Sequence, residues 1–224
     1  MITETSLRKK EKPLGVHTLL LYLVIFYIAW SLKELWLVQY IQLFNDNIAA
    51  FLSAFVKISV WIVPVWLYIK YYHYRNPISY MKLDVNLRRG VVWGILLSLL
   101  VGIRFTIEIY LINHQSFHFI LPLNSYLNVF LLAGLTEEIV FRGFILNELQ
   151  KRFLFWIANG ITAVLFLVVH YPVWLYRGEF WDLWSHCYVL LLGLIFGYVY
   201  KKTNSLWSVI ILHSFHNLFV IISY

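Results

Sequence analysis

Asn128-Val-Phe-Leu-Leu-Ala-Gly-Leu-Thr-Glu137-Glu138-Ile-Val-Phe-Arg142-Gly-Phe-Ile-Leu146 is an apolar stretch interrupted by two adjacent carboxylates and an arginine four residues further on. A charged side chain in the middle of a hydrocarbon layer costs roughly 2.5–3.5 kcal/mol on insertion scales, so three in one segment demand a reason. The reading that this cost favours is a functional site inside a membrane. A polar lock between helices is the structural alternative.

The rest of the chain agrees with a membrane setting. Of its 224 residues, 61% are hydrophobic and only 13% charged, about half the charge of an ordinary soluble domain. Trp and Tyr cluster near the ends of apolar runs, where amphipathic rings anchor at the interface. One cysteine, Cys187, excludes an intrachain disulfide framework and a cysteine-rich metal site. The net charge of +7 comes from basic residues scattered over short loops, which points to topology and not to nucleic acid.

A spanning helix needs roughly 20 apolar residues. Seven segments meet or approach that length: His17–Leu37, Ile48–Tyr72, Val91–Ile112, Leu123–Leu146, Phe153–Tyr171, Cys187–Tyr200 and Leu206–Tyr224. The sixth is short, and its start is expected to reach back toward Trp181. Residues 1–13 read as a basic cytoplasmic N-terminus and 14–224 as a single multi-pass membrane domain. The first apolar run has no small-residue cleavage site, so it reads as a retained span. The expected fold is therefore an all-α, polytopic transmembrane bundle.

Loop charges set the orientation. Arg8, Lys9, Lys10 and Lys12 precede the first span; Lys70, Arg75, Lys82, Arg88 and Arg89 flank the second connection. Lys151 and Arg152 lie in the fourth connection, Lys201 and Lys202 in the sixth, and Arg177 is alone on the opposite side. The positive-inside rule then puts the N-terminus in the cytoplasm.

Four sets of polar residues fall within the spans. Glu138 and Arg142 share a helix face at i,i+4 and are expected to pair, while Glu137, rotated by about 100°, is left available. His170 closes Phe166-Leu-Val-Val-His170, just before Pro172 ends the helix. His213, His216 and Asn217 crowd one side of the last span, where spacing alone does not separate the two histidines. Hydrogen bonding between helices would account for them structurally. Lys33 with Glu34, Lys57, and Arg104 with Glu108 read as structural or interfacial, with substrate contact as the alternative. By counting along straight helices, Glu137, His170 and His213 differ in depth by up to about 10 Å, so one shared site requires tilted or offset helices.

Glu137-Glu138-x-x-x-Arg142, Phe166-x-x-x-His170 and His213-x-x-x-Asn217 resemble, in order, the three signature motifs of the CPBP family, the CAAX proteases and bacteriocin-processing enzymes also called the Abi family. The motif-bearing core covers residues 123–224. The family is commonly described with eight spans, one more than the seven counted here. The resemblance implies a metal-independent intramembrane glutamic endopeptidase with no cofactor. By motif position, Glu137 would act as general base and, with His170, polarise the attacking water. His213 and Asn217 would stabilise the oxyanion, and Glu138 with Arg142 would fix the geometry. The implied partner is a membrane-associated protein or peptide precursor within the bilayer, prenylated or not. Two other readings compete. One is a zinc protease with Glu137, His170 and His213 as ligands, which lacks a His-Glu-x-x-His helix. The other is a non-enzymatic immunity or scaffold protein.

Overall fold

The computed structural model describes residues 16–223, which form helices and their connections. The basic N-terminus expected at 1–13 lies outside the described residues. Helices α1 (His17–Ile41), α2 (Asp46–Tyr71), α3 (Leu87–Ile112), α4 (125–150), α5 (Phe155–Val168), α6 (Tyr171–Arg177), α7 (Leu183–Thr203) and α8 (Trp207–Ile222) follow one another through short connections. Five helices are long and apolar enough to cross a bilayer: α1, α2, α3, the combined Phe155–Arg177 and α7. The charged helix α4 and the shorter apolar α8 complete the bundle. All seven predicted segments are helical, and the chain is a multi-pass membrane protein.

The boundaries differ from expectation for local reasons. Helix α1 runs four residues past the expected end, to Ile41, and Lys33 and Glu34 within it bond each other at 2.8 Å. Asn45 starts α2 by accepting the backbone N–H of Ile48 at 3.0 Å, which supplies one of the donors a helix start leaves orphaned. Asp182 does the same for α7 through Trp184, so this helix begins well before Cys187. The predicted fifth span is two helices: α5 stops at Val168, and Pro172 in the first turn of α6 has no N–H to lose there. His170 sits in the turn between them.

Close backbone contact holds the bundle together where lipid offers no hydrophobic drive between helices. Gly90, Gly94, Ser98 and Gly102 recur every four residues on α3, and a Cβ on any of the three glycines would overlap Ser205, Ile211 or Phe219 on or just before α8. The core collects around α4, where every residue from Ile139 to Leu146 is buried, packed by Trp61, Phe166 and Phe196. Large apolar side chains such as Leu21, Phe55 and Leu99 point outward instead, as they do on a lipid-facing surface.

Candidate active site

The site is built on α4. Glu137 and Glu138 lie in an α-helical turn, Gly134–Glu138, flanked on both sides by wider π-type winding. Gly134, one turn before the pair, lets α8 approach so closely that a Cβ there would overlap Ser214. That approach brings the neighbouring His213 onto the carboxylates.

Glu138 and Arg142 pair as their spacing predicts, at 2.9 Å and with both side chains fully buried. Arg142 also donates to the Gly193 carbonyl of α7 at 2.9 Å and stacks between the rings of Phe166 and Phe196, at 4.5 and 5.4 Å. A buried ion pair is tolerated only when further bonds of this kind compensate its desolvation. The same Glu138 oxygen accepts Nδ1–H of His213 at 2.8 Å. This bond fixes the imidazole so that Nε2 faces Glu137, 4.0 Å from its Oε2.

Glu137 is not free, contrary to the sequence reading. Its Oε1 accepts Lys57 Nζ of α2 at 3.2 Å, while its buried Oε2 has no hydrogen-bond partner among the described residues. Lys57, expected to be structural or interfacial, is thus part of the cluster, held over the rings of Trp61 and Trp30 at 5.5 and 5.8 Å. A lone lysine in the middle of an apolar span was its signal in the sequence, by the same cost that singled out the glutamates.

His170 donates Nδ1–H to the Phe166 carbonyl at 2.8 Å, leaving Nε2 unbonded to protein. Phe166 lies between the two motif histidines, with ring centroids 5.1 Å from His170 and 5.8 Å from His213. His170 lies in the α5–α6 turn, where the straight span assumed in counting depth is broken. Asn217 stands apart: its amide donates to the Val129 carbonyl at 3.1 Å, and its Oδ1 accepts from His216 at 3.3 Å. His216 turns away to Tyr188, 2.7 Å from its hydroxyl, so geometry separates the two histidines that spacing could not.

Lys33 and Glu34 do not snorkel outward; both side chains are largely buried in a cavity between α1 and α2. Arg104 and Glu108 pair at 2.8 Å on a half-exposed face, as expected. Among the described residues, no three His, Cys, Asp or Glu side chains form a group able to hold a metal ion.

Comparison with curated proteins and with solved structures returns no match. A scan against family models does. Residues 119–219, which contain all three motifs, match the family described as type II CAAX prenyl endopeptidase Rce1-like, and it is to this CAAX protease family that the chain's C-terminal part is similar.

Proposed function

We propose that the protein is an intramembrane endopeptidase that hydrolyses membrane-associated proteins or peptide precursors with a water activated by Glu137. The observation that carries this reading is the gap between Glu137 Oε2 and His213 Nε2. Oε2 is buried and has no hydrogen-bond partner among the described residues, His213 is a buried residue, and 4.0 Å is longer than a direct hydrogen bond but short enough for a single water to bridge. A carboxylate with one oxygen anchored to Lys57 and the other aimed at that position is oriented as a general base.

The remaining roles follow from what each side chain touches. Glu138 and Arg142 hold the imidazole of His213, which would stabilise the developing oxyanion from its Nε2 side. His170, with Nδ1 committed to Phe166, presents Nε2 to the water. Asn217 gives one of its two amide N–H groups to the Val129 carbonyl and would offer the other to the oxyanion. No step requires a metal or a cofactor.

The test compares membrane and secreted peptides from cells carrying the wild type and Glu137→Ala. Loss of specific cleavage products at normal membrane levels of the variant is expected. An unchanged peptide profile would overturn the reading.

A further inference from the structure

The cavity bounded by α1, α2, the start of α4 and α6 has a volume of about 410 Å³ and ends at Lys57, the residue bonded to Glu137. Asp46, Ala49, Ser53 and Lys57 line it from successive turns of α2, so it follows that helix from its first turn inward. Eleven residues at 1.5 Å rise make this about 16 Å. A helix with its side chains is 10–12 Å wide, whereas an extended backbone is about 4.8 Å across.

The lining is also wrong for an apolar helix. Lys33, Glu34, Asp46, Ser53 and Asn128 face the cavity along its length, and these side chains can partner the backbone N–H and C=O groups that an extended chain leaves open. At the inner end, the ammonium of Lys57 has three donors and gives one to Glu137.

We infer that the substrate reaches Glu137 as an extended, polar peptide segment threaded through this cavity from the end of the bundle at Ile41 and Asn124, and not as a transmembrane helix docking from the lipid. Lys57 is then the last side chain that the peptide meets before the catalytic carboxylate. The inference takes its end point from the proposed role of Glu137; the cavity as an aqueous route stands independently of it.

The route is tested with full-length protein in nanodiscs, carrying Cys187→Ser and one new cysteine, Ser53→Cys in the cavity or Phe55→Cys on the lipid face. A charged methanethiosulfonate reagent is added and the mass increase is followed. Thiolate forms only where water reaches, so Ser53→Cys is expected to react at least about tenfold faster than Phe55→Cys. Equal rates would overturn the route whatever the enzyme's activity. In cells, Ser53→Trp, which fills the cavity, is expected to reproduce the peptide profile of Glu137→Ala, while Phe55→Trp on the lipid face keeps the wild-type profile. Normal processing by Ser53→Trp would overturn the inference, as would cleavage sites mapping inside apolar segments of 18 or more residues. A wild-type profile for Glu137→Ala would instead sink the proteolytic reading and leave the labelling contrast to decide the cavity.

Discussion

Helix α4 carries two buried carboxylate clusters, eleven residues apart, that use the same ingredients differently. Glu148, just past the apolar part of the helix, gathers three donors on one oxygen: His73 at 3.0 Å, Lys151 at 2.8 Å and the Tyr80 hydroxyl. Burial pushes its carboxyl up, but the bonds from His73, Lys151 and Tyr80 outweigh this and hold it down at about 2. Glu137 has a single lysine on one oxygen and an unbonded imidazole nitrogen facing the other. On the proposed function, the difference is that between a charge that ties helices together and one positioned for chemistry. The first is surrounded by donors from the connection after α2, His73 and Tyr80, and from Lys151, just past its own helix. The second is left with one coordination position directed at a histidine that has itself been fixed from behind.

The comparison can be broken most sharply at Glu137. Replacing it with Gln should lower peptide processing by about 10²–10⁴-fold, the usual contribution of a general base. If processing survived, the two clusters would be equivalent. Next in size is Arg142→Met, which leaves Glu138 buried without its cation and should destabilise the protein by about 3–5 kcal/mol, read as thermal unfolding in detergent. Glu148→Gln should have the opposite profile to Glu137→Gln: processing retained, stability lowered by about 1.5–3 kcal/mol through weakened charged hydrogen bonds. Its pH dependence follows in sign. Because the folded carboxyl is held at about 2, its stabilisation is complete above about pH 4.3, the ordinary glutamate value, and is lost as pH falls from there toward 2. Wild-type melting temperature should therefore drop across that window, and the drop should shrink in Glu148→Gln. Smaller still, Tyr188→Phe removes one hydrogen bond to His216 and should cost about 0.5–1.5 kcal/mol in the same assay. A strong chelator should leave processing unchanged, and inhibition reversed by added zinc would reopen the metal reading.

Much of this was legible along the chain. Apolar length located the seven helical segments, and the i,i+4 spacing of Glu138 and Arg142 anticipated their bond. The same spacing rule described Arg104 and Glu108 correctly. It failed for Glu137, because a helical wheel reports what shares a face on one helix and nothing of what a second helix presents to it. Lys57 lies 80 residues away and reaches Glu137 only through the packing of α2 on α4. Asn217 shows the same limit, since its register with His213 is regular while its amide is committed to Val129.

The sequence by itself determined that this is a membrane-embedded helical bundle with charges in its interior, because hydrocarbon makes both apolar length and misplaced charge energetically unambiguous. Only the tertiary structure decided how those charges divide. Gly134 allows α8 close enough for His213 to bridge the two glutamates, the α5–α6 break brings His170 alongside, and α2 delivers Lys57. Hydrogen bonds act over about 3 Å, and which groups come that close is settled by how helices pack, which no single helix encodes.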